Sequence, residues 1–342
     1  MALFSRRPKA APGTPPEDAA PDARVEAAPA DGDTTPEDVL DASAAAAASV
    51  SISVSSFGGL GASRPDLHPR RTARAATKIA PVESETVPGL RDNVLVRESL
   101  ARLADGTAPQ ALLDVARQML QGHLFLRVKG DARTLLSEGK ELPLAMVKVG
   151  DRSFALAYSS GTALQASVRA DGDVDTSAMG QPVLAVIRHV LAGPYEGLII
   201  DQSSAPARAV LPKALLEKVV EKVDEQLEVK TLLAGERTAQ TAAAVADALT
   251  RAPMWVAVGK LDDGRPGIAE GRAEDGGRYL EVYSHPLEVA VMGRGDQAAP
   301  VTASQLVAAL GDTGLSGIIV DPAGPWIRLS RADLAPLFPT VR

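Results

Sequence analysis

The sequence predicts an α+β fold: two tandem, diverged copies of one small mixed-sheet module with helices, preceded by a disordered tail. Three observations predict it. Four blocks recur in the same order beyond residue 110, their apolar residues keep helical or strand spacing, and the first 90 residues lack both features. The resulting boundaries are a tail over residues 1–90, a first module over 91–228 and a second over 229–342.

Each copy opens with a helix leading into a strand. Gln110 to Leu120 precedes Leu124 to Val128, and Gln240 to Leu249 precedes Met254 to Val258. Val115, Ala116 and Met119 fall on Val245, Ala246 and Leu249, so both helices present the same apolar stripe. Thr107 with Pro109 suits the start of the first helix, and Thr238 the cap of the second. Phe154 to Ser159 then matches Tyr279 to Ser284, and Gly197 to Asp201 matches Gly317 to Asp321. The offset between copies shrinks in small steps, as expected when only surface loops change length.

Between these blocks lies a hairpin. Leu144 to Val149 runs into a Gly150-Asp151 turn and returns as Ser153 to Tyr158; the second copy turns through Glu274 to Gly277. A helix is expected next, over Pro182 to Leu191 in the first copy and behind Thr302 in the second. The strands ending at Asp201 and Asp321 turn back near Pro206 and Pro325 into strands at Ala209 to Leu211 and Trp326 to Leu329. Pro212 then opens a helix whose apolar residues run from Leu215 to Leu227.

The tail holds 11 of the 25 prolines and only two aromatics, Phe4 and Phe57, too little apolar surface to offset the entropy of ordering. Its charges are sorted, acidic over residues 17–41 and basic over 64–78. Segregated charge is usual in interaction tails, and equally in a solvated linker. Between the charged blocks, Val50, Ile52 and Val54 alternate with serines up to Phe57, the pattern of a strand with one apolar face. Such a segment can add to an exposed sheet edge, so Val50, Ile52, Val54 and Phe57 are candidate partner-binding residues.

Composition excludes several functions. The chain has no cysteine, so disulfides, thiolate catalysis and cysteine-ligated metal are ruled out, which suits a cytoplasmic setting. A net charge of −7 argues against general nucleic-acid binding, which needs excess Lys and Arg to release counterions. The uncharged run over residues 42–63 is long enough to span a bilayer, but it is dominated by Ala, Ser and Gly. No membrane insertion is expected, and no secretory signal follows Met1.

Candidate chemistry is sparse. Asp201 and Asp321 sit at equivalent strand ends before Pro- and Gly-rich turns, where an Asp side chain commonly bonds the next backbone amides. A turn role is preferred for them; a ligand pocket formed with Tyr158 and Tyr283 at the module interface is the alternative. Asp171, Asp173 and Asp175 resemble the start of a calcium loop, but Thr176 and Pro182 stand where Gly and Glu are needed, leaving a solvated acidic loop. The four histidines, His68, His123, His189 and His285, match no zinc or triad spacing. His285 beside Ser284 is no catalytic pair, because nucleophile and base must face one another. Arg294-Gly295-Asp296 reads as a charged loop tip. Trp255 and Trp326 are expected in strands, with Trp326 a binding anchor if its edge is exposed.

The repeated blocks resemble the SseB family of enhanced serine sensitivity proteins, in the tandem form with two N-terminal-type domains known from actinobacteria. The likeness rests on residues 110–128, Phe154 to Ser159, and Gly197 to Asp201 followed by Ala205-Pro206 and Val210-Leu211-Pro212. It returns in Gly317 to Asp321, Ala323 and Pro325. The resemblance implies an α+β module and carries over no catalytic residue. The expected function is therefore a non-enzymatic, cytoplasmic interaction protein without cofactor, acting on protein partners. A small-molecule, amino-acid-related binding protein or enzyme is the alternative.

Overall fold

Gly197 and Gly317 open the central strands of the two halves, and neither position tolerates a side chain. An added Cβ would lie 2.4 Å from the Leu211 carbonyl oxygen at the first and 2.0 Å from that of Leu329 at the second. These strands belong to a computed structural model that describes residues 36–49, 66–69, 77–103, 108–261, 264–274 and 276–338. Val50, Ile52, Val54 and Phe57 lie outside the described residues.

Two short elements come first, α1 (Pro36–Ser49) and β1 (Asp66–Pro69). The first half runs α2 (Val94–Ala101), α3 (Pro109–Met119), β2 (His123–Lys129), α4 (Ala132–Ser137), β3 (Met146–Val149) and β4 (Arg152–Ala157). It continues through α5 (Gly161–Asp171), β5 (Thr176–Pro182), α6 (Val183–Ala192), β6 (Gly197–Ile200), β7 (Ala209–Pro212) and α7 (Lys213–Glu221). The second half runs α8 (Glu228–Ala234), α9 (Thr241–Ala248), β8 (Met254–Lys260), β9 (Pro266–Arg272), β10 (Arg278–Tyr283) and α10 (Pro286–Val291). It ends with β11 (Gln297–Val301), α11 (Ala303–Asp312), β12 (Gly317–Val320), β13 (Ile327–Ser330) and a 3-10 turn at Ala335–Leu337. Mixed sheets packed by helices make the fold α+β, as expected.

Some strand pairings are alike in the two halves, but the first half divides into a two-stranded and a four-stranded sheet, whereas the second-half strands form a single sheet with β1. β4 runs parallel to β6, which pairs antiparallel with β7; β10 runs parallel to β12, which pairs antiparallel with β13. β2 pairs antiparallel with β5, and β8 with β11. The four-stranded sheet of the first half and the large sheet of the second pack apolar residues on both faces. Leu198 and Ile200 face α3, α6 and α7, while Ile199 faces α5 beside Phe154 and Leu156. In the second half Ile318 and Val320 pack with Val245, Leu306 and Leu310, and Trp255 and Tyr283 pack with α10 through Val289 and Met292.

Several elements escaped the sequence reading. α5 and β5 precede α6, and α10 and β11 precede α11, where only one helix was expected. β5 has no period-2 alternation and only half-buried faces, so its pattern carries little signal. Thr238 bonds Thr241 and Gln240, but Gln240 is the residue flanking α9.

Three stretches of the first 90 residues are described, and they contact the rest. Alanine has the highest helix propensity, which accounts for α1 even though the segment buries little. Ala46 enters the first-half core, and Arg152 pairs with Asp41 at 3.1 Å. β1 pairs with β9. Residues 83–92 bind the first half through Asp92, which accepts from Ser84 and Thr86 and pairs with Arg97 at 2.7 Å. The described residues from Pro36 onward fall in one compact unit.

Candidate functional site

Asp201 and Asp321 end the two central strands in the same way. Each takes a left-handed backbone, φ 55° and 50°, unusual for a residue other than glycine and best tolerated by Asp and Asn. Each carboxylate reaches back to the end of the neighbouring strand. Asp201 accepts from the Ser159 amide at 2.7 Å and from its hydroxyl; Asp321 accepts from the Ser284 amide at 2.8 Å and hydroxyl at 2.6 Å. A cis proline follows each, at Ala205-Pro206 and Gly324-Pro325. The side chains therefore do not bond the next amides of their own turn, as the sequence suggested. Their partners lie 42 and 37 residues away, a distance no local pattern reports.

A basic residue also recurs. Val96-Arg97 with Leu100 on α2 corresponds to Val229-Lys230 with Leu233 on α8, a match visible in the sequence but upstream of the blocks that reveal the repeat. Lys230 lies 3.4 Å from Asp321, while Arg97 pairs with Asp92. Burial pushes the Asp201 carboxyl up to about 6, against the Ser159 hydrogen bonds that oppose the shift. Burial also raises Asp321, even with Lys230 beside it.

Around Asp321 the two halves meet. Arg117 on α3 lies buried between them and donates to the carbonyl oxygens of Gly324 (2.6 Å) and Ala323 (3.2 Å), and to Glu288 on α10 (3.3 Å). Its other partner is Asp114, at 2.6 Å. Gln118 donates to the Gly324 carbonyl as well. Lys230 pairs with Glu288 as well as with Asp321. Burial works against the Glu288 charge, but Lys230 and Arg117 hold that carboxyl below the usual range. Asp321 shifts upward instead, chiefly because it is buried and in part because the Glu288 charge lies nearby.

His285 is committed to structure. Its Nδ1 accepts from the Leu287 amide at 3.0 Å, capping α10, and its Nε2 donates to the Val219 carbonyl of α7 at 3.0 Å. Burial lowers it to about 4, with Lys230 adding to the effect. The imidazole is therefore neutral near pH 7, and neither nitrogen faces the Ser284 hydroxyl.

Tyr158 and Tyr283 are fully buried but turn away from the Ser–Asp pairs. The Tyr158 hydroxyl meets Ser167 at 2.8 Å; that of Tyr283 donates to Glu281 at 2.6 Å and accepts from Arg294 at 2.6 Å. Among the described residues, no hydrogen bond joins Tyr158, Asp201, Tyr283 and Asp321 to one another. Arg294 and Asp296, expected at a loop tip, are buried instead: their side chains are 7% and 1% exposed and lie 3.0 Å apart. The Glu281 carboxylate and the Tyr283 hydroxyl draw Arg294 inward, a tertiary effect with no sequence signature. Asp171 also does more than line a solvated loop, because it clamps the buried Arg127 guanidinium (3.0 Å). No cluster able to hold a metal occurs among the described residues.

Trp255, expected in a strand, lies in β8 and is buried in the core. Trp326 is half-buried beside the edge strand β13, with Lys78 5.6 Å and Arg328 5.9 Å from its ring. A cleft of about 590 Å³ lies in the first half, lined by Leu126, Leu136, Leu144, Met179, Val186 and His189. The outer edge of β9 is covered by β1, which pairs in parallel from Asp66↔Gly267 to Pro69↔Glu270.

The second half also matches a known family in sequence. The family model of the SseB protein N-terminal domain matches residues 228–335. The chain carries an SseB N-terminal domain. That match spans α8 to the 3-10 turn, and so includes Lys230, Ser284, Glu288 and Asp321 of the SseB domain. No curated protein and no solved structure matches the chain. No helix among the described residues is long and apolar enough to cross a membrane.

Proposed function

We propose that this chain is a non-enzymatic, cytoplasmic interaction protein, in which two diverged copies of an SseB-type module offer sheet edges and grooves to protein partners. The tandem reading is supported by the shared strand pairing and by the recurrence of Ser159–Asp201 and Arg97 as Ser284–Asp321 and Lys230. The non-enzymatic reading is supported by the use of the recurring acids and hydroxyls in buried bonds, since a reacting group must reach its substrate.

One observation carries the interaction reading. The outer edge of β9 binds an extended segment through backbone pairing, the chemistry by which sheet edges recruit peptides. Trp326 beside β13 and, outside the described residues, Val50, Ile52, Val54 and Phe57 are further partner-binding candidates. The test is cross-linking of the full chain in cell lysate, with the cross-links mapped, beside a thermal-shift screen of metabolites. Polypeptides cross-linked at a sheet edge are expected. If none is retained and an amino-acid-like metabolite raises the melting temperature, a small-molecule role for Tyr158, Asp201, Tyr283 and Asp321 replaces this one.

A further inference from the structure

One sheet face is apolar in the first half and basic in the second. Ile319 pairs with Arg328 across β12 and β13, as Ile199 pairs with Val210 across β6 and β7. Val210 is buried in a cluster that α5 joins through Ala163 and Leu164. α5 has 11 residues, whereas α10 has 6 and packs with Trp255 and Tyr283. Ile319, Trp326 and Arg328 are left half-buried.

Three cations gather around Trp326. The Lys78 ammonium lies 5.6 Å from its ring and the Arg328 guanidinium 5.9 Å, the latter also 4.8 Å from the Tyr279 ring. Arg237 donates to the Trp326 and Lys78 carbonyl oxygens, both at 3.4 Å. Among the described residues none of the three cations meets an acid: Glu83 pairs with Arg91, Asp333 accepts from Ser330, and Glu236 is exposed. Two of their donors, Arg237 Nη1 and Arg328 Nε, are buried without a hydrogen-bond partner among those residues. Burial lowers Arg237, with no acid to oppose the shift. Aromatic faces compensate a cation only in part, and a buried donor left unmet costs free energy. An oxyanion supplies both the missing charge and the missing acceptors.

We propose that Lys78, Arg237 and Arg328, grouped about Trp326, bind the carboxylates of an acidic segment on a partner polypeptide. The planar guanidinium fork suits a carboxylate, and the indole among the cations offers apolar surface to a neighbouring side chain of the same segment. A bare inorganic anion leaves that surface unused. The site rests on the interaction reading, of which Trp326 is a candidate, and names the partner's chemistry.

The probes are a peptide with leucine between two pairs of glutamates, its counterpart with glutamines, and inorganic phosphate. Each is titrated into the full chain by calorimetry. The glutamate peptide is expected to bind about tenfold tighter than the glutamine one, by the usual worth of a charge-assisted hydrogen bond. Arg237→Gln and Arg328→Gln should each weaken it about tenfold. Arg328→Lys, which keeps the charge without the fork, should recover part of that loss. Lys78 is exposed, so Lys78→Gln tests the site without disturbing a buried side chain. Arg188→Gln, which removes an exposed charge paired with Glu225 in the first half, should have no effect. The proposal is overturned if the glutamine peptide binds as tightly, if Lys78→Gln, Arg237→Gln and Arg328→Gln all bind as the parent does, or if Arg188→Gln weakens binding equally. Phosphate that binds tighter than the glutamate peptide overturns the polypeptide assignment. Peptide binding here without any retained cellular polypeptide would leave the site standing and sink the interaction reading. A polypeptide cross-linked elsewhere, with the glutamate peptide unbound, would do the reverse.

Discussion

Arg117 and Gly324 hold the two halves together: the guanidinium on α3 donates to the carbonyl oxygen before β13 at 2.6 Å, inside the protein. The same side chain serves Asp114, Glu288 and Ala323. Replacing it leaves Glu288 with Lys230 alone and two carbonyls without this donor. Arg117→Ala is expected to cost about 3–5 kcal/mol, the usual result of breaking a buried ion pair. Arg117→Lys should recover little, because a point charge cannot reach four acceptors as a planar fork does. Urea denaturation reads both, and a loss below about 1 kcal/mol would show that the halves do not depend on this contact.

Asp201 and His285 make opposite contributions to acid stability. Asp201 titrates at about 6 when folded against 3.8 when free, so the folded form binds its proton more readily. Its contribution is greatest at low pH and is lost as the pH rises from about 3.8 to about 6. His285 titrates at about 4 when folded against 6.5 when free. Its contribution is complete above 6.5 and is lost as the pH falls toward 4. Each is worth about 3 kcal/mol across its window. Asp201→Asn, which keeps a residue tolerant of the left-handed backbone, should therefore become more acid-sensitive than the parent between pH 6.5 and 4. His285→Asn should become less so. Parallel slopes for parent and both variants would contradict the assignment.

The secondary structure was legible where a local pattern carried it. The helical stripe of Val115, Ala116 and Met119, the Gly150 turn and the Thr302 cap all appear where their chemistry puts them; Thr302 forms a capping box with Gln305. What stayed hidden is tertiary. Asp201 and Ser159 are both in recurring blocks, yet nothing local says that one side chain turns back to the other. Arg294 reads as a surface arginine until Glu281 and Tyr283, from the adjacent strand, are placed around it. Charge patterning likewise marked residues 64–78 as basic but could not show that Asp66–Pro69 among them pairs with β9.

Gly161 tests whether residues 83–92 are part of the fold or a loose lead-in. A Cβ there would lie 2.6 Å from the Val87 Cβ, and the neighbouring Thr162 amide donates to Thr86 at 3.0 Å. Gly161→Ala should cost about 1–3 kcal/mol by overpacking, and combining it with Val87→Gly, which removes the obstructing Cβ, should cost less than the sum of the two single changes. A non-additive double-mutant cycle is the expected readout. Strict additivity would mean that Val87 does not press on α5.

Gly197 and Gly317 recur for a reason the structure makes quantitative. At both, the obstructing atom is the carbonyl oxygen of an antiparallel neighbour strand, Leu211 or Leu329, which cannot swing aside as a side chain would. Gly197→Ala and Gly317→Ala are each expected to cost about 3 kcal/mol or more, since β6 or β12 must leave its partner to make room. Gly311, on the exposed face of α11 with nothing within 4 Å of an added Cβ, is the control. Gly311→Ala should stabilise by about 0.5–1 kcal/mol, because alanine loses less entropy in a helix. Thermal denaturation of the three variants separates a steric requirement from a general preference for flexible glycine. If Gly197→Ala and Gly317→Ala melt with the parent, the close approach of these strands is wrong, and with it the shared geometry that places Ser159 against Asp201 and Ser284 against Asp321.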